Sequence, residues 1–153
     1  MHRFPIAMVL AALLQAPPLD AQSSVPLDTG QIDSLSASLN REWRRLASLS
    51  FQAPISEISR NRLAFQHNSA REGIAIIDKL RFIAILCGES PENASLTEKL
   101  LREAGGLRRQ SVTLKNIIHD EGPGTTLDKL LSALVAQADA VEGSLGTRVA
   151  VIW

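Results

Sequence analysis

Apolar residues recur along most of this chain at steps of three and four, the spacing that places side chains on one face of an α-helix. The first stripe opens near Asp28, whose spacing to Gln31 suits a capping box. Its apolar members are Ile32, Leu35, Leu39, Trp43 and Leu46. The opposite face carries three arginines that we expect to be solvated, namely Arg41, Arg44 and Arg45.

A second stripe keeps one phase as far as Cys87 and predicts a long helix from Pro54 to Cys87. Pro54 suits the first turn of such a helix because its missing N–H has no helical partner there. The stretch Ser69–Glu72 is itself a capping-box pattern, so the sequence leaves open a break near His67–Ser69.

Two further helices follow the polar loop 88–95. The third runs from about Leu96 to His119, and the fourth opens with the capping pattern Thr125–Asp128. We expect Gly143 and Gly146 to end the fourth helix, and the strand-like tail 147–153 to pack on the bundle or stay loose. Four amphipathic segments joined by short loops predict an all-α fold, an antiparallel up-down four-helix bundle.

A pair of glycines, Gly105 and Gly106, interrupts the third segment, where each costs roughly 1 kcal/mol relative to alanine. The apolar phase continues across them, which predicts one continuous helix with a backbone notch. We place both glycines on the outer side of the stripe, where bare backbone suits a close neighbour such as a helix, a subunit or a ligand. The alternative is a weak spot or hinge that the helix tolerates.

The start of the chain has the features of a signal peptide. Arg3 precedes the apolar run Phe4–Leu14, which is too short to span a bilayer comfortably, and a small residue, Ala21, precedes Gln22. We therefore predict a signal peptide at 1–21 and a single helical-bundle domain at 22–153, periplasmic or secreted and without a membrane span after cleavage. The alternatives are an uncleaved anchor or an ordinary buried helix.

Charge and motifs narrow the function. Lys+Arg and Asp+Glu each total 16 in 153 residues, a balance that disfavours nucleic-acid binding. The single cysteine, Cys87, excludes an internal disulfide, and we expect it to be buried. The chain lacks recognisable catalytic motifs, so we expect no enzyme, no cofactor and no metal, and we interpret His119–Glu121 as a solvated helix end.

The segment "AGGLRRQSVTL", Ala104 to Leu114, resembles a box in the periplasmic helical sensor domain of nitrate/nitrite-responsive histidine kinases. The N-terminal domain of the type IV pilus chemotaxis transducer has a similar box. Arg109 and Thr113 depart from that pattern, and the family's box usually lies in the first helix rather than the third. The matching residues are Ala104, Gly105, Leu107, Arg108, Gln110, Ser111 and Leu114.

The resemblance implies a site for a small nitrate- or nitrite-like oxyanion at Arg108, helped by Gln110 or Ser111. The protein would then be a non-catalytic, soluble periplasmic sensor-type module that binds this anion or a partner. The alternative is a structural or interaction protein, such as an adaptor, inhibitor or chaperone, with no small ligand. Arg108 would then pair with Glu72, while Arg109 lies on the outer face and takes no part.

The expected partner is a second copy of the chain or another helical protein. The second helix has two apolar faces, and a helix that is apolar on two sides needs two sets of partners. One face contains Ile76, Leu80, Ile83 and Cys87. The other, which we expect to form a homodimer, contains Ile74, Phe82 and Ile85.

Overall fold

The computed structural model describes residues 28–52, 56–90 and 92–152. These residues form four helices and no strand, which confirms the predicted all-α four-helix bundle. The helices are α1 (Gly30–Leu49), α2 (Glu57–Glu89), α3 (Ala94–Glu121) and α4 (Thr126–Ile152). The predicted signal peptide lies outside the described residues. Within them, every helix is too short or too polar to cross a membrane.

Side-chain contacts show that consecutive helices run antiparallel. Arg81, near the end of α2, bonds Asp33 at the start of α1 with 2.7 Å between Nε and Oδ1. Arg62, near the start of α2, donates to the backbone carbonyl of Glu121 at the end of α3. Each helix packs on the next and α1 also packs on α4, which closes the ring of an up-down bundle.

The helices α2 and α4 also touch across the diagonal of the bundle, whereas α1 and α3 make no close backbone contact in the described chain. Gly73 permits this approach. A Cβ added there would lie 3.1 Å from Leu131 Cδ2 and 3.6 Å from Leu39 Cδ2. Both leucines are fully buried, so a larger residue at position 73 would hold the two helices apart.

The core is built from the predicted apolar faces. Burying each of these side chains stabilises the fold by about 1.5–3 kcal/mol relative to exposing it. Arg41 and Arg44 on the outer face of α1 are exposed, as expected. The largest fully buried apolar side chains are those of Ile32, Leu39, Ile77, Leu80, Ile118, Leu131, Leu134, Val141 and Leu145.

The helix α2 is continuous, which settles the question of a break near His67–Ser69. It begins at Glu57, and the hydroxyl of Ser56 caps it by accepting from the backbone N–H of Ser59 at 3.2 Å. The buried Ser69 lies in mid-helix, and two residues earlier the ring of His67 stacks on Trp43 of α1 with centroids 5.3 Å apart. This packing explains why the local capping pattern at Ser69 is not used.

The helix α4 is longer than predicted. The expectation that Gly143 and Gly146 end it is wrong, because the helix continues to Ile152. Val141, Leu145 and Arg148 are buried at steps of four and three, so the buried face runs through both glycines. The guanidinium of Arg148 reaches the end of α2, where Nη1 lies 3.3 Å from the carbonyl oxygen of Cys87.

A compact capping arrangement joins α3 to α4. Thr125 Oγ1 accepts from the backbone N–H of Asp128 at 3.2 Å, as the capping pattern predicted. The Asp128 carboxylate accepts from the backbone N–H of Gly124 at 2.8 Å and lies 3.1 Å from His119 Nδ1. Gly124 has a φ of 76°, which glycine adopts readily and other residues rarely do.

Candidate functional site

The glycine pair lies inside a continuous α3, as the unbroken apolar phase predicted. The two glycines face different neighbours. Gly105 is buried on the side of α4, where an added Cβ would lie 3.4 Å from Glu142 Oε1. The expectation that both glycines lie outside the bundle is therefore wrong for Gly105, because α3 packs closely on α4 there. Gly106 lines an open groove on the side of α2.

The axial register of α2 against α3 differs from the predicted one. An antiparallel hairpin of the second and third predicted helices through the loop 88–95 places Arg62 beside Lys115 and Asn116. In the structure, Arg62 instead caps the carbonyl of Glu121 at the C-terminal end of α3. A cation at this end also interacts favourably with the helix dipole. Arg62 does not require an anion as a partner, because its side chain is exposed and donates a hydrogen bond to this carbonyl.

Arg108, the centre of the predicted oxyanion site, faces α4. Its guanidinium bonds the carboxylate of Asp139, and Nε lies 3.5 Å from Glu142 Oε2. These contacts raise the pKa of Arg108 above its usual value, chiefly through the hydrogen bond to Asp139. The predicted alternative partner, Glu72, is wrong, because the carboxylates that neutralise Arg108 come from α4.

The other two predicted ligand residues point elsewhere. Ser111 is buried, and its hydroxyl donates to the carbonyl of Leu107 one turn earlier at 2.8 Å. Gln110 is exposed and lines the groove on the side of α2. The structure therefore does not bring Arg108, Gln110 and Ser111 together around one point, since they face α4, the groove and the core respectively.

The groove between α2 and α3 has a volume of about 470 Å³. This lies within the usual range of about 300–1,000 Å³ for small-molecule sites. Part of its lining is apolar, and the rest consists of one guanidinium, one carboxylate, an amide, a hydroxyl and bare glycine backbone. The lining residues are Glu72, Ile76, Gly106, Arg109, Gln110, Thr113, Leu114 and Ile117.

Arg109 supplies the positive charge of this groove. Its guanidinium lies over the glycine pair, with Nη1 3.7 Å and Nη2 3.9 Å from the positions that a Cβ at Gly105 and Gly106 would occupy. It makes no hydrogen bond or ion pair with any residue that the structure describes. Arg109, which we expected to take no part in a site, is thus the arginine of residues 104–114 that has no carboxylate partner among the described residues.

Glu72 supplies the negative charge of the same groove. Its side chain is exposed and, over the described ranges, has neither an ion pair nor a hydrogen bond. In the alternative without a small ligand, we expected Glu72 to lie near α3 and to form an ion pair with Arg108. The exposed Ile117 adds apolar surface to the groove. That Glu72, Arg109 and Ile117 line the same groove follows only from the packing of α2 on α3 in the structure.

The remaining chemical groups have structural partners. His119 lies against Asp128, and no cluster of potential metal ligands occurs in the described part of the chain. Cys87 is buried as predicted, with its Sγ 3.0 Å from Arg148 Nη1. Burial raises the pKa of the Cys87 thiol, while the positive charge of Arg148 acts in the opposite direction.

The second apolar face of α2 is only partly available. Phe82 is 62% exposed and Ile85 is 44% exposed, so both present apolar surface to the outside. Ile74, which we had placed on the same face, packs instead against the core. Two exposed side chains one turn apart are the remaining part of the predicted dimer surface.

These features define the class of protein: an all-α, up-down four-helix bundle with a mixed polar and apolar groove between α2 and α3. No protein-family model, curated protein or solved structure matches the chain. The resemblance of residues 104–114 to nitrate-responsive sensor domains therefore stays a prediction.

Proposed function

We propose that this protein is a non-catalytic, exported binding module that holds a small anion in the groove between α2 and α3. The observation that supports this proposal is the guanidinium of Arg109, which lines the groove and has no carboxylate partner among the described residues. A guanidinium binds planar oxyanions through charge-assisted hydrogen bonds in a fixed fork geometry. The amide of Gln110 adds a donor on the same side.

The guanidinium of Arg109 is more available to an anion than that of Arg108. An anion at Arg108 would compete with Asp139 and Glu142 for the same guanidinium and would be repelled by both carboxylates. An anion at Arg109 displaces no protein partner. The proposal therefore keeps the small-anion function that the sequence suggested and assigns it to the neighbouring arginine.

Calorimetric titration with nitrate, nitrite and acetate tests the proposal. We expect Arg109→Ala to abolish binding and Arg109→Lys to weaken it, because lysine lacks the planar fork. Arg108→Ala is the matched control and should leave binding intact. A ligand present at about 100 times its dissociation constant should also raise the free energy of unfolding by about 2.7 kcal/mol. Binding lost in Arg108→Ala but retained in Arg109→Ala would instead support the sensor-like site at Arg108.

Export is part of the same proposal and rests on the N-terminal sequence. If the signal peptide is cleaved after Ala21, the mature chain begins at Gln22. N-terminal sequencing of the protein from its native host decides this, and an intact Met1 on protein in the cytoplasm would contradict export.

A second candidate function is that of an interaction protein, and the exposure of Phe82 and Ile85 favours it. Exposed apolar side chains one turn apart on a helix suit a helical partner, and a second copy of the chain is the simplest one. Sedimentation at tens of micromolar should then show a dimer, and Phe82→Asp should dissociate it. A monomer at that concentration would argue against this function.

A further inference from the structure

The groove contains two opposite charges, and within the described part of the chain they form no ion pair with each other or with another side chain. Arg109 and Glu72 line the same groove, yet neither makes an ion pair with a described residue. A simple anion bound at Arg109 would leave Glu72 without a partner and would be repelled by it. The groove is therefore better matched to a ligand that carries both charges.

The apolar part of the lining adds a second requirement. Ile76 and Leu114 are buried at the base of the groove, while Ile117 is 43% exposed beside them. A ligand with an apolar group would remove this surface from water, which favours binding. Small inorganic anions cannot provide that contact.

The backbone at Gly106 leaves room for such a ligand. Apart from the backbone of α3 itself, Arg109 Nη2, at 3.9 Å, is the only described atom within 4 Å of the position that a Cβ would occupy there. The hydroxyl of Thr113 donates to the carbonyl of Arg109 at 3.1 Å, so its oxygen remains free to accept a hydrogen bond. An ammonium group therefore has two acceptors in the groove, the Glu72 carboxylate and the Thr113 hydroxyl.

From this combination we infer that the ligand of the groove is a zwitterionic α-amino acid with an apolar side chain. Its carboxylate pairs with Arg109, its ammonium group with Glu72, and its side chain covers Ile117. The inference rests on the proposed function, because it takes Arg109 as the anion ligand. It adds the ligand class and a role for Glu72.

Titration with L-leucine and two analogues tests the inference. 4-Methylpentanoate keeps the carboxylate and the apolar group but lacks the ammonium, while glycine keeps both charges but lacks the apolar group. We expect each analogue to bind at least about tenfold more weakly than leucine, a difference of about 1.4 kcal/mol. In ¹³C-methyl NMR spectra, leucine should shift the methyl signals of Ile76 and Ile117.

Charge-neutral variants assign the roles. Glu72→Gln should weaken leucine binding and remove the preference for leucine over 4-methylpentanoate, whereas Arg109→Gln should abolish binding of both. Asp120→Asn and Arg44→Gln change exposed charges outside the groove and should bind as the parent does. Circular dichroism checks that all variants keep their helices.

The possible outcomes separate the two proposals. Equal binding of leucine and 4-methylpentanoate to both the parent and Glu72→Gln overturns the zwitterionic ligand but leaves anion binding at Arg109 standing. If neither these compounds nor inorganic anions bind at millimolar concentrations, both proposals are overturned. Leucine binding that survives in Arg109→Gln also overturns both.

Discussion

Replacing Gly106 by alanine should raise the free energy of unfolding. Glycine in a helix interior is about 1 kcal/mol less favourable than alanine. The added methyl group would meet only Arg109 Nη2 at 3.9 Å, an ordinary van der Waals contact with the end of a flexible side chain. We therefore expect a gain of about 1 kcal/mol, or a rise in Tm of about 3–4 °C for a domain of this size.

The same substitution at Gly73 should have the opposite effect and serves as the matched control. Gly73 also lies inside a helix, but its added Cβ would be 3.1 Å from Leu131 Cδ2 and 3.8 Å from Leu134 Cδ2. Both leucines are fully buried and have little room to move. An overpacking cost of about 1–3 kcal/mol should outweigh the gain in helix propensity.

Urea and thermal unfolding followed by circular dichroism measure both effects. We expect Gly106→Ala to be more stable than the parent and Gly73→Ala to be less stable, with about 2 kcal/mol between the two variants. The reasoning is refuted if Gly106→Ala unfolds at a lower temperature than the parent. It is equally refuted if Gly73→Ala gains as much stability as Gly106→Ala.

The Gly106 variant also tests the purpose of the glycine pair. If the bare backbone serves only as a tolerated weak spot, alanine should raise stability and leave ligand binding unchanged. If the groove needs close access to the backbone beside Arg109, the more stable variant should bind leucine less tightly than the parent. The combination of higher stability and weaker binding is specific to a functional groove.

Two further predictions concern titratable groups. The hydrogen bond from the backbone N–H of Gly124, and to a lesser extent that with His119, holds the pKa of Asp128 below its usual value. The carboxylate therefore stabilises the fold fully above about pH 4, and this stabilisation is lost as the pH falls through the lowered pKa. The difference in free energy of unfolding between the parent and Asp128→Asn, measured by urea unfolding, should therefore become smaller at acid pH. A difference that stays constant from about pH 7 to pH 2 would refute this. Because the Cys87 thiol is buried and its pKa raised, Ellman's reagent at about pH 8 should modify it only as the protein opens. Modification faster than opening, judged from hydrogen exchange of the core amides, would show that the thiol is accessible in the folded state.

Hydrophobic periodicity was enough to predict the four helices and most of their buried faces. It fails at the end of α4, where the glycines at positions 143 and 146 predict a stop although Val141 and Leu145 keep the phase across the first of them. The same criterion had correctly kept α3 intact through Gly105 and Gly106. The next residue in phase, Arg148, is charged, and only the structure shows its buried contact with the end of α2.

The candidate site was harder to predict because periodicity shows which face of a helix is buried, but neither the axial register between helices nor which neighbouring helix a residue beside that face meets. The contact of Arg62 with the carbonyl of Glu121, rather than with Lys115, marks an offset of more than one helical turn. Around the axis of α3, Arg108 faces α4, while Arg109, about 100° further round, lines the groove together with Glu72. The sequence centres the predicted site on Arg108, whereas the groove is lined by the neighbouring Arg109.

The close approach of α2 and α4 at Gly73 has a consequence for how the molecule responds to force or to ligands. It divides the interior into two triangular compartments, one enclosed by α1, α2 and α4 and the other by α2, α3 and α4. Since α1 packs on α2 and α4 but shares no close backbone contact with α3 in the described chain, a displacement in the groove would reach α1 directly through α2, which lines the groove, or through α4. Any signal from a bound ligand would thus pass through α2 or α4.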